Sequence, residues 1–218
     1  MRIKSGLLVF ILSLVFDLAF GQGDANLLLQ YRKGPDMSRY RKWNFDLHLR
    51  GVYMSPQGNH AVPKIGYAFG GNIQYKYANS FGATTGVDLL SVHYQYQLND
   101  NTTTDQIRYL SFPLAIRVFP SARIHFETGL LFHHLLKAEN SAIVDLRQNT
   151  NTYPEGVFKN AFGWLFGVHY NIWKKFYLSL EYRFFKRATI TQRIQKNNFN
   201  GFLVGVNFLI RSHNRKGP

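Results

Sequence analysis

Ionisable side chains recur at every second position in several otherwise apolar stretches of this chain. Asp46, His48 and Arg50 follow this spacing in one stretch, and Glu181 and Arg183 follow it in another. Side chains two positions apart point to the same side of a β-strand, so each set would share one side. A lone charge is costly to bury, whereas opposite charges can form ion pairs or relay protons. The spacing therefore predicts strands whose charged sides meet one another.

A serine and several histidines raise a second possibility, nucleophilic catalysis. A serine attacks as a nucleophile when a nearby histidine takes its proton, and Ser91 and His93 stand two positions apart in one predicted strand. His133 and His134 are the other candidates. We expect these residues to be polar groups at the rim or in the interior of the fold, and hence no catalytic residue and no enzyme. A lipid-modifying enzyme that uses Ser91, His93 and His133 is the alternative.

Metal and cofactor chemistry has little support in the sequence. The chain has no cysteine, which excludes disulfides, thiol catalysis and cysteine-ligated zinc. The histidines that could share one interior are His48, His125, His133 and His169. Because they come from different predicted strands, we expect no metal site. The chain also has no glycine loop of the kind that cradles phosphate, and we expect no cofactor.

The elements that position these side chains are β-strands. Between Tyr109 and Phe132, two stretches with an apolar period of two flank a short Pro-Ser turn, and this period is typical of strands. In the stretch Phe81–Gln97 the apolar positions change phase at Leu89–Leu90, which predicts a β-bulge. The alternation predicts eight strands: Trp43–Tyr53, Ile65–Tyr77, Phe81–Gln97, Tyr109–Val118, Ile124–Leu136, Ala161–Tyr170, Phe176–Phe184 and Gly201–Ile210.

The connections between these strands alternate in length. The longer ones are Met54–Lys64, Leu98–Asp105, Lys137–Lys159 and Ala188–Asn200, and the short ones are Ala78–Ser80, Phe119–Arg123 and Asn171–Lys175. Outer-membrane barrels have short periplasmic turns and longer external loops. We therefore predict an all-β fold, an eight-stranded antiparallel up-and-down transmembrane β-barrel, whose apolar side chains contact lipid.

Such a barrel would enclose four acidic and four basic residues, the lumen charge network: Asp46, Arg50, Lys76, Asp88, Arg117, Glu127, Glu181 and Arg183. The lumen of an eight-stranded barrel is about filled by side chains, and opposite charges inside it can pair. We expect this network to set the strand register and to block leakage. A path for protons or other ions is the alternative.

The ends of the chain predict export. Residues 1–21 have the basic start, short apolar run and small-residue cleavage site of a signal peptide, with cleavage after Gly21. No other stretch is long and apolar enough to be a transmembrane helix. We expect an outer-membrane location. The predicted organisation is a signal peptide at 1–21, a basic periplasmic leader at 22–42, the outer-membrane barrel at 43–210 and a basic C-terminal tail at 211–218.

The chain is strongly basic, with a formal net charge of +14. Loss of residues 1–21 removes two cations and one carboxylate and leaves +13. An exported chain does not routinely meet nucleic acid, so we expect outer-membrane lipid and lipopolysaccharide as partners, and no nucleic acid. The predicted periplasmic cluster is Arg39, Arg41, Lys42, Lys174, Lys175, Arg211, Arg215 and Lys216, and the predicted outer cluster is Lys186, Arg187, Arg193 and Lys196.

Three segments resemble the family of Gram-negative outer-membrane β-barrel domains labelled PorT-like: Tyr109–Leu114, Glu127–Leu130 and Leu180–Arg183. The similarity spans roughly Trp43 to Ile210. It implies the same small barrel and, through the family's namesakes, a subunit of a protein-secretion or gliding apparatus. The chain departs from the pattern at its C-terminus, because such barrels often finish on an aromatic residue and here a basic tail follows Ile210.

Together these observations favour a non-enzymatic outer-membrane barrel with a structural, surface-interaction or secretion-machinery scaffolding role. The Lys137–Lys159 and Ala188–Asn200 loops are expected to carry its specificity. Other envelope or secretion proteins are candidate partners. The alternatives are the lipid-modifying enzyme and a narrow channel or carrier of small hydrophobic solutes.

Overall fold

Eight antiparallel strands form a closed barrel in the computed structural model, which confirms the predicted fold class. The strands are β1 (Trp43–Pro56), β2 (Ala61–Lys76), β3 (Phe81–Leu98), β4 (Asn101–Val118), β5 (Ile124–Asn140), β6 (Ala161–Trp173), β7 (Phe176–Arg187) and β8 (Phe199–Ile210). Each strand pairs with its neighbours in the sequence, and β1 pairs with β8 to close the ring.

The structure describes residues 43–56, 61–78, 80–98, 101–121, 123–142, 149–173, 175–187 and 198–210. The predicted signal peptide, basic leader and basic tail lie outside these residues. Within the described ranges, no helix is long and apolar enough to cross a membrane.

The two ends of the barrel differ in their connections. At one end, which we call the turn end, residues 77–80, 119–123 and 174–175 join consecutive strands. At the opposite end, the loop end, the connections are residues 57–60, 99–100, 141–160 and 188–198. The strand β1 begins at the turn end, and β8 ends there.

Side chains alternate between the lumen and the outer wall along the strands. In β1, Asp46 and Arg50 are buried in the lumen, whereas Leu47 and Leu49 on the outer wall are 53% and 66% exposed. In β6, Phe166 on the outer wall is 58% exposed. A water-soluble sandwich turns its apolar side chains inward, so this barrel has the reverse polarity, that of a barrel surrounded by lipid.

Inward-facing glycines make room for large lumen side chains. Gly205 pairs with Arg50 across β1 and β8, and a Cβ atom at Gly205 would lie 2.7 Å from Arg50 Cγ. Gly163 pairs with Phe185 across β6 and β7, where an added Cβ would lie 2.5 Å from Phe185 Cβ. Placing a glycine opposite a long side chain lets a narrow barrel hold that side chain in its interior.

The predicted β-bulge at Leu89–Leu90 is wrong. The strand β3 keeps one phase there, and Leu90, Val92 and Tyr94 point into the lumen, as Asp88 does. The change of phase in the sequence pattern reflects a change in lumen contents, from charged side chains to apolar ones. The register shifts lie elsewhere, between Lys64 and Tyr67, between Arg108 and Tyr109, and between Asn171 and Trp173.

Several predicted loops are shorter than expected because the strands continue further at the loop end. The strand β1 continues to Pro56, β2 begins at Ala61, and β5 continues to Asn140. The strand β4 begins at Asn101, inside the predicted Leu98–Asp105 loop. Polar residues of these segments therefore belong to paired strands rather than to irregular loops.

Replacing Gly205 by alanine is expected to destabilise the barrel by about 1 to 3 kcal/mol, as overpacking does. The added methyl group must displace the Leu49 carbonyl and the Arg50 side chain. Gly51→Ala is the matched control, because Gly51 faces the outer wall and an added Cβ would lie 3.7 Å from the Val204 carbonyl oxygen. Urea titration of the refolded variants in vesicles measures both free energies of unfolding. Equal losses of unfolding free energy in the two variants would contradict the packing of Gly205 against Arg50 in the lumen.

Candidate functional site

A layer of charged side chains fills the lumen near the turn end and is centred on Arg117. The guanidinium Nε donates to Glu127 Oε2 at 2.6 Å, and Nη1 donates to Asp46 Oδ2 at 3.0 Å. The same Nη1 donates to Gln74 Oε1 at 3.1 Å. Asn72 Nδ2 donates to the other Asp46 oxygen at 3.0 Å. One arginine therefore ties together β1, β2, β4 and β5.

A second charged layer lies beside the first, towards the middle of the barrel, and is centred on Arg183. Its Nη2 donates to Asp88 Oδ2 at 2.7 Å and to Glu181 Oε2 at 2.9 Å. Arg50 Nη1 lies 2.8 Å from Glu181 Oε1, and His48 Nε2 lies 2.8 Å from Asp88 Oδ1. These side chains are almost completely buried. Each charge in this layer depends on its partners, because a buried charge that loses its partner has no water to replace it.

Seven residues of the predicted lumen charge network lie in these two layers, and Lys76 lies outside them. The Lys76 ammonium is 3.9 Å from the centroid of the Phe119 ring, at the opening of the turn end. His48, which the sequence did not assign to the network, stands between Asp46 and Asp88. A protonated His48 would give the two layers a fourth cation to balance their four carboxylates.

The histidines singled out in the sequence share the lumen but do not form one site. His125 and His169 stack with their ring centroids 4.4 Å apart and their planes inclined by 5°. His133 Nδ1 lies 2.6 Å from Ser111 Oγ, and both side chains are fully buried. Among the described residues, no group of three or more acidic or histidine side chains is arranged to hold a metal. The interior position of His133 removes it from the residues that could act on a membrane lipid.

Apolar side chains close the lumen on the loop-end side of the charged layers. This plug consists of Val52, Met54, Leu90, Val92, Tyr94, Ile107, Tyr109, Phe185, Phe199 and Leu203, each at most 2% exposed. The Phe185 ring lies 5.1 Å from the Phe199 ring and 5.7 Å from the Tyr109 ring, centroid to centroid. On the turn-end side, a recess of about 50 Å³ lies beside Arg117, which holds a few water molecules at most. The described lumen is therefore packed from end to end.

Residues 149–160 pack onto the loop end, although the sequence predicts an exposed loop over Lys137–Lys159. Phe158 is 4% exposed and belongs to the same apolar cluster as the plug. Tyr153 Oη donates to Asp105 Oδ1 at 2.7 Å, and Asn140 Nδ2 donates to the same oxygen at 2.6 Å. Asp105 therefore anchors this segment over the plug.

Asp105 lies at the loop end, where the outward neighbours on β4 are the polar Thr104 and Gln106. Burial raises the pKa of Asp105 above its ordinary value of 3.8, while hydrogen bonds from Tyr94, Asn140 and Tyr153 act in the opposite direction. A raised carboxyl pKa means that folding favours the protonated form, so this residue contributes less stability as the pH rises.

Ser91 and His93 lie on the outer wall, because β3 keeps its phase. Ser91 Oγ is 2.9 Å from His93 Nε2. Their register partners on β4 are Arg108 and Gln106. His134, the remaining candidate, is exposed on the outer wall of β5. Of the four candidates, the structure brings only Ser91 and His93 together.

Of the two predicted basic clusters, the structure describes the side chains of Lys175 and Lys186. Lys175 Nζ lies 5.7 Å from the centroid of the Phe208 ring at the turn end. Lys186 Nζ lies 5.5 Å from the centroid of the Phe184 ring on the outer wall. The remaining side chains lie outside the described set: Arg39, Arg41, Lys42, Lys174, Arg187, Arg193, Lys196, Arg211, Arg215 and Lys216.

No family model and no curated protein matches this chain. Solved barrels are similar in shape. Ail, the attachment invasion locus protein of Yersinia pestis, solved with the heparin analogue sucrose octasulfate, is 10% identical over 77% of this chain and 97% of its own, with a TM-score of 0.45. The outer-membrane protein OprG from Pseudomonas aeruginosa is 10% identical over 79% of this chain and 98% of its own, with a TM-score of 0.46. Neisserial surface protein A is 14% identical over 77% of this chain and 97% of its own, with a TM-score of 0.46.

Sequence reasoning missed the plug and the Asp105 anchor. Leu90, Val92 and Tyr94 are as apolar as lipid-facing residues, and their lumen position follows only from continuing the count of two beyond Asp88. For Asp105 the sequence holds no local signal, because its partners come from distant segments.

Replacing Arg183 by methionine is expected to destabilise the barrel by about 3 to 5 kcal/mol, because Asp88 and Glu181 then lose a buried partner. Lys137→Met is the matched control: it breaks the ion pair of Lys137 with Glu139 on the exposed outer wall, where a pair contributes at most about 1 kcal/mol. Urea unfolding of both variants in vesicles measures the difference. Losses of similar size would contradict the assignment of Arg183 to a sealed charge layer.

Proposed function

We propose that this chain is an outer-membrane barrel with a sealed lumen that acts through its outer wall and its rims. Its role is structural, surface-interacting or scaffolding for a secretion machinery. The observation that carries this proposal is the packed lumen, in which two charged layers and an apolar plug follow one another. Because side chains occupy the interior, a solute has no route along it, which argues against the channel and carrier alternatives.

The outer wall supports the membrane assignment. On β4 the outward side chains are apolar at Leu110, Phe112, Leu114, Ile116 and Val118, a span of nine residues. A tilted strand needs about 9–11 residues to cross the hydrocarbon core. On the loop-end side of this span the outward side chains of β4 are polar, and a closed ring leaves no strand edge unpaired in lipid. We place the loop end outside the cell and the turn end in the periplasm, because the two longest connections, residues 141–160 and 188–198, lie at the loop end.

The same wall offers a place for outer-membrane lipid. A groove of about 580 Å³ crosses it between β4 and β7. Its lining includes Phe112, Leu130, Phe132, Phe162, Trp164 and Lys186. An acyl chain suits the aromatic floor, and the Lys186 ammonium suits a phosphate of lipopolysaccharide or another anionic lipid.

The scaffolding role has a more specific form that follows from the PorT-like resemblance, a subunit of a protein-secretion or gliding apparatus. Its support is the resemblance of three short segments together with a lumen that is packed with side chains along its described length. A partner would bind the loop end, where residues 149–160 present an ordered surface held by Asp105.

Planar-bilayer recording tests the sealed lumen. The refolded full-length protein is expected to show no discrete conductance steps, because the lumen is packed along its described length. A variant that removes two plug rings, Phe185→Gly with Phe199→Gly, serves as the positive control for detection and is expected to leak more than the wild type. Steady single-channel steps from the wild-type barrel would contradict the proposal.

A further inference from the structure

A hydroxyl and an imidazole are hydrogen-bonded to each other on the outer wall. Ser91 Oγ lies 2.9 Å from His93 Nε2. A neutral imidazole carries its proton on one ring nitrogen and accepts a hydrogen bond on the other. In the tautomer with the proton on Nδ1, His93 Nε2 accepts the Ser91 hydrogen bond and can take its proton, which is the arrangement that activates a serine nucleophile.

Gln106 and Arg108 on β4 are the register partners of this pair, and Lys137 on β5 is the register partner of Arg108. Gln106 Nε2 lies 3.3 Å from Ser91 Oγ. With its amide turned over, the Gln106 oxygen instead accepts from Nε and Nη2 of Arg108 at 3.1 Å each and from His93 Nε2 at 3.2 Å. The base role of His93 therefore requires the first orientation, with Nε2 unprotonated. Arg108 and Lys137 share one carboxylate, Glu139, at 3.7 Å and 2.6 Å. Two cations on a single carboxylate leave a net positive charge, which favours an anionic head group.

The position of the pair selects a substrate class. On β4 the outward side chains change from polar Arg108 to apolar Leu110 next to Ser91. This change marks the boundary between the head groups and the hydrocarbon, where the acyl esters of a membrane lipid lie. A second hydroxyl and imidazole pair, Ser111 with His133, is sealed inside the lumen and cannot meet a lipid.

We propose that Ser91 and His93 form a catalytic pair that hydrolyses acyl esters of a phosphorylated membrane lipid, with Arg108 and Lys137 binding the phosphate. This activity requires the membrane placement proposed above, but it does not depend on the sealed lumen. It replaces, for this part of the outer wall, the expectation that the chain is not an enzyme.

The chemistry needs only water as a co-reactant. Ser91 Oγ bonds to the ester carbonyl carbon while its proton passes to His93 Nε2. The ester C–O bond then breaks, and His93 returns the proton to the leaving alkoxide, so the acyl group stays on Ser91. Water attacks the same carbon and gives a proton to His93. The bond to Ser91 Oγ breaks, Ser91 regains the proton, and a fatty acid leaves.

Access to the serine is controlled by its neighbours. Ser91 is fully buried, whereas the Arg108 side chain is 39% exposed. Because Gln106 and Arg108 lie next to Ser91 on β4, we expect them to move aside when a substrate binds. Shortening Gln106 should therefore open the site, so that Gln106→Ala reacts faster with a serine-directed probe than the wild type does.

The test uses the full chain refolded into vesicles, with insertion checked by flotation. One set of vesicles contains phosphatidylethanolamine and phosphatidylglycerol, and a second set also contains lipopolysaccharide. Mass spectrometry of the released fatty acids identifies which lipid is cleaved. An alkyl fluorophosphonate, followed by peptide mass analysis, reports whether Ser91 forms a covalent adduct.

We expect fatty acid release from at least one set of vesicles and an adduct on Ser91. Ser91→Ala should abolish both, and His93→Phe should slow release about 100-fold or more. Ser111→Ala is the matched control and should leave the rate unchanged. An inserted barrel that releases no fatty acid and forms no Ser91 adduct, even as Gln106→Ala, would overturn the catalytic inference alone. A protein that fails to insert would overturn the membrane placement as well.

Discussion

The requirement that each buried charge has a partner governs this barrel. Arg117 joins Asp46 to Glu127, and Arg183 joins Asp88 to Glu181, so two guanidinium groups hold carboxylates from four strands. A slip of one residue between strands would carry these charges to the lipid side and put apolar side chains in the lumen. The ion pairs therefore favour one strand register around the ring, because these charged side chains are almost completely buried.

The interior is divided along the barrel axis. Charged layers occupy the half near the turn end, and the apolar plug occupies the half near the loop end, with residues 149–160 held over it through Asp105. The charged half sets the strand register, whereas the apolar half seals the lumen. With both halves committed to packing, binding and chemistry are left to the outer wall and the rims. There the boundary between polar and apolar side chains places Ser91 and His93 beside cations.

The fold could be predicted from the sequence because a period of two is a local feature. The predicted alternation of connection lengths holds only after β5, since residues 57–60 and 99–100 are no longer than the turn-end connections at residues 77–80 and 119–123. Which side of β3 faces the lumen could not be predicted beyond Asp88. Leu90, Val92 and Tyr94 point into the lumen, but in the sequence they have the apolar pattern of lipid-facing residues. The carboxylates and arginines were found because charge within an apolar stretch is conspicuous. The Asp105 anchor depends on residues 35 and 48 positions away, and no local sequence pattern predicts contacts over that separation.

The reversed polarity of the wall can be measured by site-directed spin labelling along β7. The chain contains no cysteine, so single cysteines at residues 178–183 can each carry one nitroxide in vesicles. Oxygen dissolves in lipid, so its collision rates with the nitroxide are expected to be high at 178, 180 and 182 and low at 179, 181 and 183. A polar nickel chelate should reach none of them. Oxygen maxima at 179, 181 and 183, or nickel access at 178, 180 and 182, would contradict a barrel that faces lipid with its apolar side.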